Sequence, residues 1–223
     1  MGTIGLSRTN RLFWLGRYLE RVYTTLKATR GMFDAETDGA EADYKDYCRR
    51  MGIACRYENT AAFIRSYYFD AGNADSVAAS LKHAYDNAIV LRETLSSDTL
   101  AYVQMAVTAM ELAAKSSGPA VELQWVLDDI MAFRGSCEEN IEEEINRNII
   151  KSGASLERVD IFLRLGYPQE QCLKEVRHLA SRLKKAQLAV NENNMLNSLA
   201  GSPENLPPAP VLTAAAEGLL VNI

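Results

Sequence analysis

The chain has only two histidines, and its four cysteines include no C-x-x-C pair. That scarcity removes several kinds of chemistry. A ferritin-like di-metal centre needs a Glu-x-x-His on each of two helices. Here Glu175 and His178 fit the spacing once, and His83 has no matching acid. One match to so short a pattern is a chance event, so no metal and no cofactor is expected. There is no G-x-S-x-G and no histidine in a catalytic setting. A glycine-rich phosphate loop is missing too. No run of 18 uncharged apolar residues exists, so no membrane span is expected. Nor is there a basic surplus: the net charge is −5 and the pI about 5.2. Nucleic acid is therefore not an expected partner. The basic cluster Arg177, Arg182, Lys184 and Lys185 reads as a solvated helix face. Residues 1–6 lack the basic segment and long apolar run of a secretory signal. Cys48, Cys55, Cys137 and Cys172 are accordingly expected as reduced thiols of a cytoplasmic protein.

Alternating strand patterns are almost absent, because apolar residues recur every three or four positions. With 223 residues, 48% of them hydrophobic and 24% charged, the chain can bury a core without staples. The expected fold is all-α, a single multi-helix bundle of about seven helices over residues 1–196. A Pro-rich linker and a tail occupy 197–223. The tail's apolar end, 211–221, is read either as a short docking helix or as an unstructured end. The first helix is expected from Ser7 to about Phe33, with Leu12, Leu15, Leu19, Val22 and Leu26 as its core stripe. An acidic loop follows over 34–43. Later helices are expected near 44–51, 58–68, 76–95 and 99–115. Another opens at Pro119, runs through Trp125, Ile130 and Phe133, and kinks or stops at Gly135. The last two cover about 138–165 and 168–191. The run Glu138 to Glu144 reads as a solvated helix start, and Tyr67, Tyr68 and Phe69 as core.

One heptad occurs twice. Gly16-Arg17-Tyr18-Leu19-Glu20-Arg21-Val22 and Gly153-Ala154-Ser155-Leu156-Glu157-Arg158-Val159 share the pattern G-x-x-L-E-R-V. Glycine inside a helix costs about 1 kcal/mol relative to alanine, so its retention points to close packing or to space for something. Each Glu lies on the shoulder of the buried stripe, one turn beyond its glycine. Asp160 lies a further turn along the second copy. Neighbouring helices would bring Glu20, Glu157 and Asp160 together with arginine in a polar pocket. Such a pocket suits a metal, a cationic ligand or an amine. It equally suits a structural network in which each arginine pairs the other helix's acid.

The stretch Leu6-Ser7-Arg8-Thr9 through Leu12-Phe13-Trp14-Leu15-Gly16-Arg17-Tyr18-Leu19-Glu20-Arg21 closely resembles the opening of bacterial alpha-E domain proteins. A middle block, Asp86-Asn87-Ala88 to Leu91-Arg92-Glu93, is similar to the family's R-E-N-A-R-x-V-R-E. Tyr85 and Ile89 replace its arginines, and Asp86 its first Glu. Phe133-Arg134-Gly135 resembles the later F-x-G, and 153–159 the second L-G-R-x-L-E-R-A. Two departures stand out: Arg147 where the family often has tryptophan, and Ala154 in place of an arginine. The resemblance covers about residues 6–192.

It implies a single helical domain, commonly encoded with circularly permuted ATP-grasp and transglutaminase-like proteins. The first expectation is an accessory protein that binds an ATP-grasp-type amide ligase, or that ligase's peptide substrate, in peptide synthesis or modification. The alternative is an enzyme of that pathway. There Glu20, Glu157 or Asp160 would do acid–base work, while Arg17, Arg21, Arg92, Arg158 and Asn87 would bind substrate. A third reading is a self-associating bundle, a homo-oligomer with no other partner. The discriminating feature is burial: a carboxylate without an arginine, open to a pocket, favours the enzyme, and closed pairs favour the accessory protein.

Overall fold

The computed structural model describes residues 6–188, and all regular structure among them is helical. The helices are α1 (Leu6–Ala28), α2 (Arg30–Thr37), α3 (Tyr44–Met51), α4 (Thr60–Phe69), α5 (Val77–Val90), α6 (Ser97–Ala113), α7 (Ala120–Asn140), α8 (Glu144–Leu165) and α9 (Gln169–Ala186). That makes nine among the described residues, against the about seven expected. The Pro-rich tail, 197–223, and its docking helix lie outside the described residues.

Local chemistry starts the helices where side-chain oxygens take up free backbone N–H groups. Asn59, Ser76 and Ser96 each accept from the amide three residues on and cap α4, α5 and α6. The long first helix breaks at Thr29. This residue is fully buried, and its hydroxyl donates back to the Thr25 carbonyl at 2.7 Å while meeting the Tyr68 hydroxyl at 2.6 Å. Such back-bonding bends a helix. The chain resumes as α2 and places Phe33 in the core, so the first four residues of the expected acidic loop, 34–37, are helical. Gly135 does not stop α7, which continues to Asn140. Ile141, 2% exposed, then turns inward and separates α7 from α8. The acidic run 138–144 thus ends one helix and starts the next, instead of opening a single helix at 138.

α1 runs through the centre. It packs against α8 and α7 on one side and α5 on another, while α9 covers α8 and α6 joins α5 to α7. The expected stripe Leu12, Leu15, Leu19, Val22 and Leu26 is buried throughout. So are Val77, Leu81, Ala84, Ala88 and Leu91 along α5 and its end. Tyr67 and Tyr68 are core residues, with Phe69 half-buried beside them. Trp125 is the exception: it is 47% exposed, and its neighbour Val126 takes the interior position. No helix among the described residues is long and apolar enough to cross a membrane.

Candidate functional site

α1 and α8 cross where the two motif glycines meet. A Cβ on Gly16 would lie 2.0 Å from the Ile150 carbonyl oxygen, and one on Gly153 would lie 2.0 Å from that of Phe13. Phe13 precedes Gly16 by the same three positions that Ile150 precedes Gly153. The contact is therefore reciprocal, as in a local two-fold arrangement. Any side chain at either position would drive one backbone away from the other. That explains why both helices keep a residue they would otherwise disfavour.

One turn beyond the glycines stand Glu20 and Glu157, each 1% exposed. Glu157 accepts from Arg17 Nε at 2.8 Å and from Arg21 Nε at 2.5 Å. Glu20 accepts from Arg158 through Nε on one oxygen and Nη2 on the other, both at 2.8 Å. This fork-to-fork contact is the strong form of the guanidinium–carboxylate pair. Each motif's acid therefore holds the other motif's arginine. Burial alone would lift the Glu157 carboxyl, but Arg21 and Arg17 outweigh it and keep it below the usual carboxylate range. Burial would likewise lower Arg158 and Arg21. Glu20 and Glu157 reverse that and hold both guanidinium groups above their ordinary value. Taking either partner away would strand charge in a poorly hydrated place.

The symmetry fails at one position. In the first copy Arg17 follows the glycine and reaches Glu157; in the second, Ala154 stands there. Glu20 is completed instead by Arg134 of α7, whose Nη2 donates at 2.7 Å, and by the Thr24 hydroxyl at 2.7 Å. The Arg134 guanidinium lies 4.2 Å above the Tyr23 ring, which fixes its direction. Beside Ala154 a cavity of about 400 Å³ opens, bordered by Glu20, Arg134, Arg158, Arg182 and Arg147. Both departures noted in the sequence, Arg147 and Ala154, line it.

The other candidates fall elsewhere. Asp160 is 8% exposed and takes Arg164 Nε at 3.0 Å on both oxygens. Burial pushes its carboxyl up, with Arg164 opposing. The three carboxylates thus have three separate sets of partners, and of the three Glu20 lines the cavity. Asn87 is half-buried on α5 and accepts from Arg11 at 3.2 Å. Arg92 is exposed in the turn after α5. Neither residue is bonded to Glu20 or Glu157.

Two residues escaped the sequence reading. Arg134 carried a signal only through its F-x-G setting. Arg182 reads as part of a solvated cluster, and Arg177, Lys184 and Lys185 are indeed exposed. Arg182 itself is half-buried and donates to Ser155 Oγ across the α8–α9 contact.

Both Glu20 and Glu157 are thus engaged by guanidinium groups, and Glu157, held low, is a poor proton acceptor for a substrate. Cys137 borders the cavity, but burial pushes its thiol up to about 12, far from a thiolate nucleophile. His83 is exposed, with its ring 5.3 Å from that of Tyr18, and His178 Nδ1 lies 3.5 Å from Glu175. Among the described residues no three His, Cys, Asp or Glu side chains gather as a metal-binding group.

The model of the Alpha-E family, described as a predicted alpha-helical domain with a conserved ER motif, matches residues 6–199. Both Glu-Arg dipeptides of the crossing fall inside that span. No curated protein and no solved structure matches the chain.

Proposed function

The chain belongs to the Alpha-E family, and from that premise we propose that it is a non-catalytic accessory protein whose paired Glu-Arg motifs lock a binding scaffold. One observation carries the reading: four guanidinium groups close on the two motif carboxylates, leaving neither as a free base. An acid–base residue needs a reachable proton and a pKa near the working pH. Glu157 is held low by two arginines, the opposite of what such a base requires.

The partner we assign is an ATP-grasp-type amide ligase or its peptide substrate, in a cytoplasmic route of peptide synthesis or modification. Support for that partner comes from the resemblance and its usual company. The enzyme alternative, with Glu20 or Glu157 as acid or base, draws its support from the cavity beside Glu20.

Glu20→Gln tests the choice in a strain or extract that carries an ATP-grasp-type ligase. The accessory reading expects a lower melting temperature, with ligase output falling only in proportion to the folded protein. Output abolished at unchanged melting temperature would overturn it in favour of catalysis. Size-exclusion chromatography with and without the ligase would show a shift to a mixed complex. Elution as a homo-oligomer indifferent to ligase would support self-association instead.

A further inference from the structure

The cavity beside Ala154 has more positive charge than its surroundings neutralise. Arg134 and Arg158 are held by Glu20, Arg158 also reaches Glu175 at 3.2 Å, and Lys151 pairs with Glu138. Both carboxylates that line the cavity, Glu20 and Glu138, are thereby engaged. Two guanidinium groups on its wall remain without one. Arg182 donates to Ser155 Oγ and, at 3.5 Å, to the Lys151 carbonyl. Arg147 donates to the carbonyls of Ile141 and, at 3.0 Å, Glu142. These bonds go to neutral oxygens, and neither guanidinium is ion-paired with a carboxylate among the described residues. Arg182 is half-buried, and its burial together with Arg158 pushes its pKa down, with Glu175 and Glu20 opposing from a distance without outweighing them. The rest of the lining is apolar, with Leu19, Phe133 and Ile150 among it.

We propose that this cavity binds a small organic anion, a carboxylate or phosphate group on an apolar body, with Arg182 and Arg147 as its charge partners. The volume of about 400 Å³ lies in the range that holds a molecule of this size. Planar guanidinium forks suit both carboxylate and phosphate oxygens. Apolar walls supply the rest of the contact and weaken solvent screening of the charges. The proposal does not depend on the ligase partner, since it concerns a small ligand held inside the bundle.

Titration calorimetry on the full chain tests it with four probes: N-acetylphenylalanine, its uncharged amide, phenyl phosphate and inorganic phosphate. The expected result is binding of at least one of the two aromatic anions, weaker binding of inorganic phosphate and none of the amide. Which aromatic anion binds tighter identifies the head group as carboxylate or phosphate. Arg182→Gln is expected to weaken binding at least tenfold, and Arg182→Lys less. Ala154→Arg keeps every existing cation and fills the space from its wall, so it is expected to abolish binding while the protein stays folded. The proposal is overturned if neither aromatic anion binds, or if the amide binds as well as the acid. Unchanged affinity in folded Arg182→Gln or in Ala154→Arg would overturn it too.

Discussion

Gly153→Ala should destabilise the protein although it improves the helix. In an open helix the change gains about 1 kcal/mol of propensity. Here the new methyl would sit 2.0 Å from the Phe13 carbonyl oxygen, where ordinary contact begins at 3.4 Å. The obstacle is backbone of a buried helix, so it cannot rotate aside. α1 and α8 must part by more than an ångström. Overpacking of this kind costs about 1–3 kcal/mol. The separation also stretches the Glu20–Arg158 and Glu157–Arg21 bonds, and charged hydrogen bonds are worth about 1.5–3 kcal/mol each. Together these exceed the propensity gain, and a net loss of roughly 2–4 kcal/mol is expected from the same terms. Urea unfolding followed by far-ultraviolet circular dichroism reads it directly. Gly135→Ala is the control: a Cβ there meets nothing within 4 Å, so stability should rise by up to about 1 kcal/mol. A Gly153→Ala protein as stable as the parent would refute the close-crossing argument.

Other consequences follow from the charges. Glu157→Gln leaves Arg17 and Arg21 facing one another and should cost about 3 kcal/mol near neutral pH. Because Glu157 is held below its unfolded value of about 4.3, its contribution is full above that pH and lost as pH falls through the lower folded value. Melting temperature measured against pH should therefore drop on acidification, and less steeply in Glu157→Gln; equal slopes would count against the pair. Arg134→Gln should cost only about 1 kcal/mol, because Glu20 keeps the Arg158 fork and Arg134 is partly exposed. A loss as large as that of Glu20→Gln, measured by the same unfolding assay, would show Arg134 to be the dominant partner.

Much of the fold is readable in the sequence because helical periodicity and polar caps are local signals. The stripe of α1 and the serine starts of α5 and α6 are examples. The break at Thr29 is not, because it depends on a hydroxyl meeting Tyr68 from a helix far along the chain. Trp125 fits the pattern of a core position, yet only packing shows that Val126 takes the interior. At the site, the duplicated glycine and Glu-Arg doublet announce the α1–α8 crossing. Arg182 looks like its exposed neighbours until α9 is laid over α8. Ala154 is visible as a missing arginine, but the space it leaves, and the filling of its role by Arg134, need three helices in place.

The measurement that most directly tests reciprocal locking is a double-mutant cycle on Glu20→Gln and Arg158→Gln, read by urea unfolding. Partners in direct contact should show a coupling of about 1–3 kcal/mol, the double variant losing less than the two single losses combined. Losses that add to within about 0.5 kcal/mol would mean the two groups act independently, and the paired motifs would not be what holds α1 to α8.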